Sequence, residues 1–231
     1  MQNHSNRNKT LLTIAAIFLS LTTLLTLTGG IGTWCVAFNA ETVMEKMVPA
    51  QPVLKPLVLI SILDGLFGVY VFIALIKGWR GVYRNALLFL LVGGGASAVQ
   101  FYFSYILRDG KTAPNSMRLY LTLLTLLIFL FFRLPGIWEK TGHGFLSSGK
   151  PGGTSTAAGA ALVLTGILTL TTPFWAASTH IFAGYNTVND LLLPLVITGS
   201  GLLFFGLALL LHMRFARPTA EGRQRAAGKL R

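Results

Sequence analysis

Six stretches of this chain are apolar almost without interruption, at about 11 to 36, 56 to 77, 86 to 107, 117 to 137, 157 to 177 and 191 to 212. Each is long enough for a helix to cross a ~30 Å hydrocarbon core, which takes roughly 20 residues. The polar, basic and Gly- or Pro-bearing residues gather in short connections between them. The pattern predicts an all-α membrane protein, one bundle of six transmembrane helices over residues 1 to 213. A basic tail, 214 to 231, follows; it is poor in bulky apolar side chains and is expected to be disordered beyond Pro218.

Within the second stretch the pattern is broken by an aspartate. Ser61, Asp64, Gly65 and Gly68 stand at i, i+3, i+4 and i+7, one small and polar stripe, while Leu63, Leu66, Phe67 and Tyr70 take the opposite face. A carboxylate at that depth costs on the order of 2.5 to 3.5 kcal/mol and is expected to face the bundle interior. The third stretch carries a matching stripe, Gly93, Ser97, Gln100 and Ser104. At about 1.5 Å of rise per residue, Asp64 and Gln100 lie at similar depth from one membrane face, which predicts a hydrogen bond between them.

Threonines at comparable depth, among them Thr23, Thr26, Thr122, Thr125, Thr169 and Thr172, make the outer half of the bundle the more polar one. Most are expected to bond their own i−4 carbonyls. The run "GGGASA", Gly93 to Ala98, is expected to let two helices pack closely. Asp64, Gln100, Ser61, Ser97 and Thr125 are therefore the candidate substrate-binding residues, in a site expected to open outwards.

Composition supports the membrane class. Hydrophobic residues make up 53% of the 231, charged residues only 11%, and the mean hydropathy is +0.65; a soluble domain carries roughly a quarter charged residues. The net charge of +12 would suggest nucleic acid in a soluble chain, but here it sorts by side. Fourteen of the nineteen Lys and Arg fall on the face that holds both termini; Lys46, Lys55, Arg108, Lys111 and Arg118 flank the other. The positive-inside rule then places both termini in the cytoplasm, and the excess needs no nucleic acid. Trp34, Trp79, Trp138 and Trp175 all fall at predicted span ends, where indole rings favour the headgroup level. The first span is too long in its apolar core for a signal peptide and is expected to be a retained anchor. Brevity and short loops suggest a prokaryotic cell membrane.

Other chemistry finds little support. The single cysteine, Cys35, excludes an internal disulfide and a thiolate zinc site. The outer segment "THIFAGYNTVND" offers His180, Tyr185 and Asp190 as weak ligand candidates, but turn formation and capping explain its Asn and Asp more cheaply. No metal site, cofactor site or catalytic constellation is expected, so the chain is not read as an enzyme. Arg133 is placed to snorkel to the inner surface. "PLVLISILDGLFG" from Pro56 and "PLVITGSGLLFFG" from Pro194 form a faint parallel repeat, within reach of chance.

Two function classes remain. The favoured one is a small permease or transporter component with a polar site in the outer half of the bundle. The other is a structural or assembly subunit of a larger membrane complex. Expected partners are the lipid bilayer and either other membrane subunits or a second copy.

Overall fold

The computed structural model describes residues 2–110, 112, 114–138, 154–176, 181–182, 185–186, 188–189 and 192–228. For 2–10, 35, 42–43, 154–157, 175–176, 181–182, 185 and 213–228 the description is of the backbone alone. The elements are α1 (Gln2–Gly32), α2 (Trp34–Val43), a 3₁₀ helix (Glu45–Ala50), α3 (Gln51–Lys77), α4 (Val82–Leu107), α5 (Asn115–Phe131), α6 (Thr154–Ala176) and α7 (Leu192–Gly228). Between α6 and α7 a two-residue antiparallel ladder joins β1 (Ile181–Phe182) to β2 (Tyr185–Asn186).

Over its described residues each of the six apolar stretches is mainly helical, the fourth ending its helix at Phe131. Among the described residues, four segments are long and apolar enough to cross a membrane: Leu11–Glu41, Glu45–Lys77, Val82–Leu107 and Leu192–His212. Asn115–Phe131 and Ala158–Phe174 are shorter apolar helices.

The first stretch is not one helix. It breaks after Gly32, where the Thr33 hydroxyl donates to the carbonyls of Gly29 (2.7 Å) and Gly30 (3.2 Å), and α2 resumes with a non-helical Asn39. A side-chain hydroxyl offering the backbone a local alternative beside three glycines is a sufficient reason for the bend. The tail also departs from expectation: α7 continues through Pro218 to Gly228 rather than ending in disorder. Its Ala, Arg, Gln and Glu are good helix formers, and composition that lacks a core does not stop a helix from running on.

Reversals between helices use glycine where the chain turns left-handed. Gly78 caps α3 at φ 66°, with Trp79 N–H donating to the Ala74 carbonyl at 2.9 Å, and Gly81 at φ 79° opens α4. Asp109 and Gly110, both at positive φ, close α4.

Two apolar clusters occupy opposite ends of the bundle. One gathers Leu19, Val71, Leu75, Phe89, Phe129 and Phe132 around the C-terminal half of α3, and Tyr83 is tied into it by a hydrogen bond to the Phe129 carbonyl. The other sits at the N-terminal end of α3, where Met47 and Ala50 of the 3₁₀ helix pack on Ala37, Ala40, Leu54 and Val58.

α6 and α7 form a hairpin of their own. A Cβ at Gly166 would lie 2.7 Å from Leu203 N and 2.8 Å from Gly199 O, and one at Gly206 would lie 2.7 Å from Val163 N. Gly159 and Gly166 thus face Gly206 and Gly199 in antiparallel register, so the two backbones touch. The outer face of α7 presents Leu193, Ile197, Phe204 and Phe205.

Candidate functional site

α5 is amphipathic the wrong way round for a soluble protein. Asn115, Arg118, Thr122, Thr125 and Phe129 share its buried face, while Leu123, Leu124, Leu127, Leu130 and Phe131 point away from the bundle. Four polar side chains are therefore driven inwards, because in apolar surroundings polar groups need partners more than apolar groups need burial. The most consequential is Arg118.

Arg118 is 2% exposed. Counted from the sequence as an outer flanking charge, it instead runs inwards from the first turn of α5, across the face of α1 where Gly29 leaves room. A Cβ at Gly29 would meet Arg118 Cδ at 3.2 Å. Its Nη1 donates to Gln100 Oε1 at 2.9 Å and its Nη2 to Ser61 Oγ at 3.0 Å. A guanidinium only donates, so it fixes the Gln100 amide with its oxygen towards Arg118. The Gln100 Nε2 then faces Ser61 Oγ at 3.5 Å. The expected Gln100–Asp64 hydrogen bond is replaced by this triangle, because the stronger claim on the amide oxygen comes from a cation.

Asp64 is 6% exposed and lies on the same face of α3, one turn from Ser61. Its Oδ2 is buried without a hydrogen-bond partner, as are Thr26 Oγ1 and Arg118 Nε. Gly93 of α4 lies directly over that oxygen: a Cβ there would be 2.5 Å from Asp64 Oδ2 and 3.8 Å from Thr26 Oγ1. Of the "GGG" run only Gly93 is needed for a tight approach, since Gly94 would make an ordinary contact with Thr122 and Gly95 faces open space. Asp64 and Arg118 form no ion pair within 4.0 Å; among the described residues the salt bridge is Lys46–Asp109 at the surface.

The other expected members of the site are engaged elsewhere. Ser97 Oγ donates to the Gly93 carbonyl at 2.6 Å. Thr125 gives its proton to the Leu121 carbonyl at 2.8 Å, so in the 2.7 Å contact with Thr22 it is Thr22 that donates. Thr23, Thr122, Thr169 and Thr172 likewise bond their i−4 carbonyls. Asn115 extends the polar seam by donating to Ser104 at 2.8 Å. His180 and Asp190 lie outside the described residues, and so does the side chain of Tyr185.

Among the described residues the polar layer lies between two apolar clusters. Ser61, Ser97, Gln100 and Thr125 are wholly buried, between the cluster around Met47 and Leu54 and the one around Phe89 and Phe132. Among the described residues no opening to the layer is seen at the end where the 3₁₀ helix packs on Leu54 and Val58. Its Lys46 reaches Asp109 in the α4–α5 turn at 2.6 Å, and Lys55 lies 5.8 Å over the Phe38 ring. Arg133, at the other end, is exposed and lies 5.0 Å over the Trp138 ring.

Arg118 was legible in the sequence. Asn115, Arg118, Thr122 and Thr125 stand at i, i+3, i+7 and i+10, one helical face. Treating Arg118 as a topology charge hid the stripe.

Compared with family models, curated proteins and solved structures, the chain matches none.

Proposed function

We propose that this chain is a small permease or transporter component, not an enzyme, and that the layer of Ser61, Asp64, Gln100 and Arg118 is its substrate site in occluded form. Six spans with both termini cytoplasmic fit the 14 to 5 division of basic residues. The two shorter helices fit as well: the 17 residues of α5 rise about 26 Å, close to a ~30 Å core. On that topology the Lys46–Asp109 bridge and the 3₁₀ helix cap the outer end.

The observation that carries the reading is a mismatch. In a bundle whose polar side chains serve only its packing, a buried acid and a buried cation are expected to be partnered, since an unpartnered buried polar group costs stability. Here Arg118 is satisfied by two neutral acceptors, while Asp64 keeps an unpartnered oxygen. A buried acid and a buried cation poised but unjoined suit a site whose partners change during a working cycle.

Purification of the tagged protein from its native membrane in mild detergent, followed by mass spectrometry, tests the reading. Recovery of the chain alone or with a bound small molecule supports it. Stoichiometric companion proteins would favour the second reading, a non-catalytic assembly subunit, to which the unpartnered apolar face of α7 is suited.

A further inference from the structure

We infer that Asp64 carries a proton in this closed arrangement and exchanges it with water when the bundle opens. The inference rests on the polar layer being the working site and adds what that site handles.

Four observations lead to it. Asp64 Oδ2 has no hydrogen-bond donor within reach, and it is buried too tightly for a water molecule to touch it. The Gly93 backbone lies over it so closely that even a methyl group would not fit. Thr26 Oγ1 on α1, 3.8 Å from the same Gly93 Cβ position, is equally sealed and equally unpartnered, unlike Thr23 one turn away. Arg118, the one other charged side chain buried among the described residues, is held by Gln100 and Ser61 instead of turning to the carboxylate.

An ionised Oδ2 in such a place would lack water, a hydrogen bond and an ion pair alike, and only the other carboxylate oxygen reaches the surface. Some occupant must neutralise it, and the space excludes all but the smallest. A metal ion would need several ligands, and no cluster of three His, Cys, Asp or Glu exists among the described residues. A proton needs no volume and no further ligand. The groups facing Asp64 from its packing partners leave the same conclusion. α1 presents Thr26 and α4 presents Gly93, both neutral; the buried polar side chains of α6, Thr165 and Thr169, carry no charge; α5 carries Arg118.

The step is simple in its balance. On opening, the Asp64 O–H bond breaks and the proton passes to a water molecule on the open side. The carboxylate left behind draws the free Arg118 Nε, and the Arg118 bonds to Gln100 and Ser61 loosen. Reprotonation reverses this. Proton release and rearrangement of the Arg118 triangle are thereby one event, which is the coupling that a proton-driven carrier requires.

The chain has three aspartates, Asp64, Asp109 and Asp190, so a protein carrying Asp109→Asn and Asp190→Asn has Asp64 as its only aspartate and keeps Ser61, Gln100, Gly93, Thr26 and Arg118 around it. This variant, grown with carboxyl-labelled ¹³C-aspartate and placed in lipid nanodiscs, is titrated by infrared spectroscopy. The expected result is a protonated-carboxyl stretching band near neutral pH that shifts with the label and is lost reversibly as pH rises. The same band should be missing in Asp64→Asn. Absence of the band near neutral pH overturns the inference, and so does a band that no alkaline pH removes. Because the band is read without any flux, its absence would leave the substrate reading to be judged by the purification experiment.

Discussion

Gly93→Ala isolates the closest contact in the polar layer. The added methyl group would stand 2.5 Å from Asp64 Oδ2, about 0.9 Å inside the 3.4 Å at which ordinary contact begins. Asp64 cannot retreat with its helix, because a Cβ at the next residue, Gly65, would already be 2.8 Å from the Leu27 backbone. The carboxyl must instead leave its rotamer, and overpacking of this kind costs roughly 1 to 3 kcal/mol. Alanine also gains about 1 kcal/mol over glycine in a helix. Gly95→Ala, which meets nothing within 4 Å, carries that gain alone. The difference between the two variants is therefore the steric term. At about 2 to 4 °C per kcal/mol for a chain of this size it amounts to roughly 2 to 12 °C in thermal stability. Detergent-solubilised protein heated in steps and followed by size-exclusion chromatography measures it. Adding Asp64→Ala to Gly93→Ala should restore most of the loss, because the clashing oxygen is gone. If Gly93→Ala is as stable as Gly95→Ala, the carboxyl is not where the account of the site requires it.

Other changes follow from the same geometry. Arg118→Lys keeps the charge but not the fork that reaches Gln100 Oε1 and Ser61 Oγ together, so a loss of about 1 to 3 kcal/mol is expected in the same thermal assay. Gly166→Val would push a side chain into Leu203 N and Gly199 O, both backbone atoms that cannot yield. The α6–α7 hairpin should separate, with a loss of roughly 3 kcal/mol or complete failure to accumulate, read by yield and monodispersity. Lys46→Ala removes a pair whose side chains are 66% and 75% exposed. Stability should change by less than about 1 kcal/mol, and that difference should fade in high salt.

The helical class and the positions of the apolar stretches were legible because a run of some 20 apolar residues leaves few alternatives. Asp64, Ser61 and Gln100 were legible as buried because polar residues at helical spacing inside such runs must face inwards. What could not be seen is which side chains meet. Gln100 was expected to take Asp64, since depth matched, but depth along two helices says nothing of a third that reaches between them. Arg118 belongs to that third helix, and its place near the end of a span made it read as a flanking topology charge. Its inward turn depends on Gly29, on another helix, leaving space for its Cδ. The apolar cover at the N-terminal end of α3 was equally hidden, because a 3₁₀ turn at Glu45–Ala50 over Leu54 and Val58 is fixed by packing. Ser97 and Thr125 show the opposite failure. Their spacing is right for the site, yet each spends its only proton on its own helix's carbonyl.

The most direct test of whether the polar layer works or merely packs is charge movement across the bilayer after a pH jump, recorded from proteoliposomes on a solid-supported membrane. Proton binding at a residue inside the membrane displaces charge even when no substrate is supplied. The expected result is a transient displacement for the unmodified protein and for Asp109→Asn, and none for Asp64→Asn reconstituted at equal amount. Equal displacement with and without the Asp64 carboxyl, or none in any of the three, would contradict a membrane-embedded site that opens and exchanges its proton.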